Sequence, residues 1–391
     1  MHVCHLAKYY PPAAGGIETH VQALARAQCD AGAEATVLCI NHRTLNGNDS
    51  ALQAFDSGNC SEETDEGVRV LRVKRRLTLS KWDYAPGLAR LIERIQGTPR
   101  KVDLFHLHAP NPTMALAFLF ARIETPLIVT HHSDIVRQRF LGRVFAIFER
   151  RLLRRARLIL TDSPPYADGS ESLRNFRNKV EDLPLGIDLD LFLTPTPKAL
   201  AFRDRLRSIY PGPLWLCVGR LVYYKGLSNA LLALRSLPGT LLIVGEGPLR
   251  AELELQAASC GVSERVVWLG KADADELVGA YHAAAALLFP SNARSEAFGL
   301  VQVEAMASGC PVINTTIPHS GVSWVSMHEV SGLTVAVDSP SELCTAARRL
   351  LDEPHLRSRL STAARDRAER LFGARQMAQK SLEIYQRVLS H

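Results

Sequence analysis

The sequence predicts an α/β protein built from two parallel-sheet domains. Three observations carry this. At 391 residues the chain is longer than one ordinary hydrophobic core covers. In both halves, apolar runs of strand length alternate with amphipathic segments of helix length, the βαβα pattern of parallel sheets. Between the halves lies a polar stretch at 194–198, carrying Pro195 and Pro197, which reads as the linker between a first domain (1–193) and a second (199–373).

The chain is organised around residues 286–314. The apolar run 286–289 ends at Pro290 and a polar loop. A helix pattern covers 298–307, Gly309 ends it, and a second apolar run follows at 311–314. In such a strand–loop–helix–strand unit, ligands bind at the carboxyl end of the first strand. Glu296 stands in that loop and Glu304 two turns along the helix. The first N–H groups of the helix, at Phe298, Gly299 and Leu300, favour anions.

Taken in order, 3–6 is a strand and 9–16 a loop whose prolines and glycines exclude a helix. Ile17, Val21, Leu24 and Ala25 then share one helix face, closed by Gly32. Gly15 and Gly16 therefore open a helix N-terminus, where backbone comes close to a ligand. A strand at 35–40 precedes a polar, aperiodic segment at 41–66, read as a long loop. Strands follow at 68–73 and 102–108, with a helix at 86–95 between them. His106 and His108 share a strand face and could ligate a metal, but no third ligand is placed near them, so no metal is predicted. A strand at 126–130 runs into His131 and His132, a basic helix covers 137–155, and a strand covers 158–161. Residues 163–166 read as a turn, and 180–183 as the last strand of the first half.

In the second half the strand 214–218 leads to Arg220 and Lys225, which flank a helix start. Two cations beside a helix N-terminus make a diphosphate site. The strand 241–244 runs into Gly245-Glu246-Gly247-Pro248, which lacks the third glycine of a dinucleotide fingerprint. A strand at 266–269 and amphipathic helices at 343–351, 356–372 and 377–389 complete the chain.

Composition narrows the function. With 47% hydrophobic and 22% charged residues, the chain is globular. The apolar windows 114–121 and 283–289 fall well short of a membrane span, and residues 1–6 lack the basic start and apolar core of a signal peptide. Eight scattered cysteines with no Cys-x-x-Cys read as buried thiols in a reducing compartment. The expectation is a cytoplasmic protein. Its net charge of +6 is concentrated between Gly67 and Val180, notably at 74–76 and 150–157. With no recognition module or aromatic platform, nucleic acid is not the predicted partner. A basic helix with interleaved leucines suits the anionic inner face of a membrane, as a peripheral contact.

The string Ser295-Glu296-Ala297-Phe298-Gly299-Leu300, followed by Glu304-Ala305-Met306-Ala307, Gly309 and Pro311-Val312, resembles the Glu-x7-Glu signature of retaining nucleotide-sugar glycosyltransferases of family 4. Further matches run from Pro11-Pro12 with Gly15-Gly16-Ile17-Glu18, through 184–192, to Gly219-Arg220-Leu221 with Lys225-Gly226, so the resemblance covers nearly the whole chain. His132 to Gln138 resembles a subgroup acting on bacterial surface polysaccharides, some of whose members use GDP-mannose.

The resemblance implies the GT-B fold, two Rossmann-like domains facing across a cleft, with a last helix (about 374–391) returning to the first. The first domain would bind the acceptor and the second the nucleotide-sugar. Glu296 would meet the donor sugar, Glu304 the ribose, and the N–H groups at 298–300 the sugar and diphosphate. Arg220 and Lys225 would neutralise the leaving diphosphate. Gly15 and Gly16 would reach the donor, Gly245 would line the nucleotide, and the loop 317–325 would face the same cleft. His132 aligns with the family's cleft histidine, while His131 replaces a residue that is more often aromatic. An imidazole there would hydrogen-bond a sugar hydroxyl or the acceptor.

The implied activity is metal-independent, cofactor-free retaining transfer of a hexose, mannose first, from GDP-mannose or a UDP-hexose to a lipid-linked saccharide or polysaccharide. Asp188 and Asp190 mimic a metal-binding Asp-x-Asp of another fold and are set aside. A non-catalytic nucleotide-sugar-binding subunit and an epimerase on the same fold are the alternatives.

Overall fold

A computed structural model describes residues 1–13, 15–41, 60–79, 82–97, 101–134 and 141–390, without side chains at 78–79 and 141–145. The chain divides into two compact units, Met1–Ile187 with Ala374–His391, and Asp188–Gly373.

In the first unit β1 (His2–Leu6), α1 (Gly16–Asp30), β2 (Glu34–Ile40), β3 (Cys60–Asp65), β4 (Val68–Val73), β5 (Leu77–Leu79), β6 (Trp82–Tyr84), α2 (Leu88–Gln96), β7 (Leu104–Ala109), α3 (Pro112–Phe120), β8 (Leu127–His131), α4 (Leu141–Arg155), β9 (Leu158–Thr161), α5 (Pro164–Gly169) and β10 (Val180–Asp182) follow one another. The main sheet runs β10-β9-β8-β7-β1-β2-β4-β3. Every neighbouring pair is parallel except β3–β4. Strands β1, β7 and β8 are buried along their whole length, as befits a sheet with helices on both faces. From β1 the chain winds outward to β2 and β4, then returns to lay β7 on the other side of β1. The β1 and β7 ends therefore form a topological switch point.

The second unit contains α6 (Asp190–Leu193), α7 (Pro197–Ile209), β11 (Leu214–Val218), α8 (Leu227–Leu234), β12 (Thr240–Val244), α9 (Arg250–Ser259), β13 (Val266–Gly270), α10 (Ala274–Ala283), β14 (Ala286–Leu288), α11 (Leu300–Ala307), β15 (Val312–Thr315), α12 (Val322–Val325), β16 (Gly332–Val335), α13 (Pro340–Asp352) and α14 (Pro354–Leu371). Its sheet, β13-β12-β11-β14-β15-β16, is wholly parallel. The switch point here lies between β11 and β14. The last helix, α15 (Ala374–Leu389), belongs to the first unit and packs on α1.

Several local expectations need correction. Within the loop expected at 41–66, residues 60–65 form the edge strand β3, because Glu62 and Glu63 pair with Arg69 and Arg72 of β4. Residues 42–59 of that loop and 137–140 of the basic helix lie outside the described residues. The apolar window 114–121 falls almost wholly in helix α3, capped by Asn111, whose Oδ1 accepts from the Met114 N–H. Its nearly unbroken apolar sequence hides the helical period. The turn at 163–166 is the start of α5, with Pro164 at its first position. The second unit begins at Asp188, ahead of the expected linker. Phe192 rests on Tyr281 with ring centroids 6.0 Å apart, and Thr196 caps α7 and bonds Asp275.

Candidate functional site

The loops after β11 and β14, side by side at the switch point of the second unit, bring together residues that the sequence singled out. Lys225 Nζ lies 2.6 Å from Glu296 Oε2 and 5.0 Å from the centroid of the Phe289 ring. Ser291 Oγ donates to the same carboxylate oxygen at 3.1 Å, and Ser320 Oγ donates to the Glu296 carbonyl at 2.5 Å. Arg220 stands exposed on the same loop as Lys225. A carboxylate, an ammonium and a guanidinium thus line one strand-end loop pair. That set suits a ligand carrying both anionic and hydroxyl groups.

Glycine makes the loop packing possible. Gly226 has φ +61, and a Cβ there would run into the carbonyl oxygen of Pro290. Gly245 has φ +132, and its Cβ would meet the Gly219 carbonyl. Backbone bonds from Gly219 to Val244, from Leu221 to Glu246 and from Asn292 to Tyr224 fasten the three loops together. Gly245 therefore acts by allowing the loops to close up.

Helix α11 begins beside this pair. Gly299 is its N-cap, with φ +81 and no side chain to cap the helix, so the first N–H groups have no partner within the helix. The Phe298 ring turns inward, packing edge-on against Phe372 with centroids 5.6 Å apart and against Trp324 at 6.4 Å. The Phe298 side chain is thus turned away from the helix start. Glu304 lies one turn deeper, half-buried, and accepts a hydrogen bond from Tyr281 Oη at 2.7 Å. Burial raises the carboxyl's pKa, against the Tyr281 bond and the Lys225 charge, which lower it.

The first unit contributes differently. Gly15 is the N-cap of α1, and the Glu18 carboxylate lies over the face where its Cβ would stand. His132 is 5% exposed, and both its ring nitrogens are engaged. Nδ1 lies 3.1 Å from Asp162 Oδ1, and Nε2 lies 3.2 Å from His108 Nδ1. Both ring nitrogens therefore face protein groups, Asp162 and His108, where a nitrogen directed at a sugar hydroxyl was expected. His131 is buried too, with Nδ1 2.9 Å from Tyr166 Oη.

The expectation that His106 and His108 lack a third ligand also fails. The crossover from β1 to β7 sets His5 beside His106 in register, and α1 brings in His20. The nitrogens of His5, His106 and His108, and those of His20, His108 and His132, each fall within 4.8 Å of one another. Burial lowers the His5 pKa to about 4 and holds His20, His106 and His108 well below the ordinary imidazole value, so these rings stand neutral. Sequence reasoning missed His5, His20, Asp162 and Tyr281. His5 and His20 each sit on the inward face of a predicted element, which was the available signal.

The clusters at 74–76 and 150–157 are only partly surface. Arg75 is buried and 3.5 Å from Asp83, and Arg155 donates to the Ile123 and Thr125 carbonyls. Arg150, Arg151 and Arg154 stay exposed on α4, on one face with the exposed Ile147. Among the described residues no helix is long and apolar enough to cross a membrane.

Comparison with known proteins matches two family models. Glycosyl transferases group 1 covers residues 202–367, and the glycosyl transferase 4-like domain covers residues 15–186. The chain is 35% identical to D-rhamnosyltransferase WbpZ of Pseudomonas aeruginosa over 276 residues, 70% of this chain and 71% of that one. It is 27% identical to O-antigen chain mannosyltransferase C of Escherichia coli over 390 residues, spanning 100% of this chain and 99% of the relative. Among solved structures, sucrose-phosphate synthase from Thermosynechococcus elongatus superposes with a TM-score of 0.78 at 21% identity, covering 100% of this chain and 99% of that one.

Proposed function

The chain belongs to the group 1 glycosyl transferases, with a glycosyl transferase 4-like first domain, and on that premise we propose that it moves a hexose from a nucleotide-diphospho-sugar to a saccharide acceptor in surface polysaccharide synthesis. Mannose carried by GDP is the first donor to test, since one full-length relative is named as an O-antigen chain mannosyltransferase. In this reading the second unit holds the donor and the first unit the acceptor, a lipid-linked saccharide.

The observation that carries the reading is the Lys225–Glu296 pair at the β11/β14 switch point, with Arg220 alongside. The diphosphate draws Lys225 and Arg220 onto its oxygens, where they neutralise the charge that grows as the glycosyl bond breaks. These two cations do the work a divalent ion does at other diphosphates. Lys225, once drawn away, frees Glu296 to accept hydrogen bonds from donor-sugar hydroxyls. The capless start of α11 adds N–H donors for the diphosphate, and Glu304 accepts from the ribose. Attack on the face the leaving group occupied keeps the α configuration, with the leaving phosphate taking the acceptor proton. His132 acts here as a positioning residue of the first unit, because its nitrogens face Asp162 and His108. The exposed Ile147, Arg150, Arg151 and Arg154 face suits an anionic membrane surface carrying the acceptor.

Calorimetry with GDP-mannose, UDP-glucose, UDP-GlcNAc and UDP-galactose tests the donor site, repeated with Lys225→Ala and Glu304→Ala. Binding of one donor, abolished by both changes, is the expected result, followed by transfer to a membrane extract with an α-linked product. Donor binding without transfer to any extract indicates a non-catalytic binding subunit. Binding unaffected by either substitution rejects the site.

A further inference from the structure

Inside the first unit runs a string of hydrogen bonds whose directions conflict. One end is fixed by Gln28. Its Nε2 donates to Ser381 Oγ at 2.8 Å, and Ser381 Oγ itself donates to the Ala378 carbonyl at 2.7 Å. The hydroxyl proton is thus used, and the Gln28 amide oxygen is the atom turned to His5. His5 donates to it from Nε2 at 2.8 Å, which leaves His5 Nδ1 an acceptor facing His108 Nε2 at 3.1 Å. His108 donates across that contact and keeps a lone pair on Nδ1. The other end is fixed by Asp162, whose carboxylate oxygens accept. His132 donates to it from Nδ1 at 3.1 Å and keeps a lone pair on Nε2. The two lone pairs, on His108 Nδ1 and His132 Nε2, face each other at 3.2 Å. A neutral imidazole offers one donor and one acceptor, so three neutral rings cannot satisfy all the contacts of the string. The contact between His108 and His132 calls for a cation.

A third imidazole stands at the same point. Both ring nitrogens of His20 are buried with no hydrogen-bond partner among the described residues. Its ring meets those of His108 and His132 edge-on, with centroids 5.6 and 5.1 Å away. An orphaned buried polar group of this kind is rare in a native fold and asks for a partner. One nitrogen from each of His20, His108 and His132 falls within 4.8 Å of the others. A tetrahedral zinc ion with nitrogen bonds of about 2.0–2.1 Å holds its ligands about 3.3 Å apart, close to the His108–His132 separation. Behind the ligands, Asp162 and His5 take the remaining N–H groups, the outer arrangement that orients ligating imidazoles.

We propose that His20, His108 and His132 form a binding site for a divalent transition-metal cation of the zinc class, with Asp162 and His5 as its orienting partners. Three neutral imidazoles with no oxygen ligand select such an ion over magnesium or calcium. The site ties helix α1 to strands β7 and β8, so the ion braces the first unit. It lies within the first unit and does not depend on the glycosyl-transfer reading.

The test uses tag-free full-length protein, stripped with a chelator and then dialysed against Zn²⁺ or Co²⁺. The expected result is about one metal ion per chain by elemental analysis. Co²⁺ should give the visible absorption of a tetrahedral nitrogen-ligated ion, without the thiolate charge-transfer band that binding to cysteine would produce. His20→Gln and His108→Gln should lose the ion while circular dichroism reports an intact fold. Asp162→Asn, which spares all three ligands, should weaken binding by roughly 10–100-fold. The proposal is overturned if the intact protein stays metal-free, or if the folded variants bind as the parent does.

Discussion

The ammonium of Lys225 and the carboxylate of Glu296, 2.6 Å apart, are 71 residues apart in sequence and meet because β11 and β14 are neighbours in the sheet. Each sits on the loop that leaves its strand's carboxyl end. In the proposed donor site the pair is self-neutralising until an anion arrives. Glu296 and a donor diphosphate then compete for one cation. Glu296→Gln should therefore bind GDP or UDP at least as tightly as the parent, while transfer falls by about 100-fold or more, the size expected for a lost transition-state contact. Calorimetry and turnover measured on one preparation check this. Nucleotide binding that falls in step with turnover would contradict the competition.

Gly226 decides whether the two loops can approach. Alanine there must adopt a left-handed conformation and meet the Pro290 carbonyl. Gly226→Ala is expected to destabilise the chain by about 1–3 kcal/mol and to weaken donor binding by opening the loop pair. Urea unfolding with donor titration measures both. An unchanged midpoint would mean that the loops do not need this contact.

Glu304, proposed above to accept from the ribose, is held at a cost to stability. Its carboxyl pKa is raised by burial, so the folded chain holds that proton more tightly than the unfolded chain. Its contribution is most favourable at low pH and is lost as pH rises from the ordinary carboxyl value through the raised one. Glu304→Gln keeps an acceptor for Tyr281 and removes the charge. It should match or exceed the parent's thermal midpoint near neutral pH while losing donor binding. A lower midpoint would show that the carboxylate stabilises the fold.

The buried histidines predict acid sensitivity of the opposite sign. His5 stays neutral down to about pH 4 in the fold, and His20, His106 and His108 are depressed in the same direction by burial. The unfolded chain takes up these protons near the ordinary imidazole value of about 6.5. Stability is therefore complete above that value and drains away as pH falls towards 4, by up to about 1.4 kcal/mol per pH unit for each ring. Urea unfolding of chelator-treated protein at about pH 7.5 and about pH 5.5 tests it. Equal stabilities at the two values would rule out the neutral cluster.

Helix α15 is held to the first unit by polar as well as apolar contacts. Tyr385 Oη lies 2.6 Å from His106 Nδ1, and Ser381 Oγ accepts from Gln28. Tyr385→Phe leaves a buried imidazole nitrogen without its partner and should cost about 1–3 kcal/mol. Hydrogen exchange along α15 should rise with it. Exchange unchanged from the parent would mean that packing alone seats the helix.

The alternation of apolar runs with amphipathic segments marked twelve of the sixteen strands among the described residues, because a strand buried on both faces and a one-sided helix leave different periods in the sequence. The same local logic marked Arg220, Lys225, Glu296 and the start of α11, since each follows directly from a strand end. Elements with weak local signatures escaped it. Strand β3 is polar and owes its place to cross-strand pairs with β4, and α3 is too uniformly apolar to display its period.

Strand order was decided by tertiary structure alone. Hydrophobic periodicity says that a segment is a strand, but it carries no label for its neighbour. His5, His20, His108, His132 and Asp162 come from β1, α1, β7 and the ends of β8 and β9. The crossover that inserts β7 beside β1 joins His5, His108, His132 and Asp162 into one interior string, with His20 against it. Burial then makes that string energetically consequential, because an imidazole without a partner is cheap in water and costly in a core.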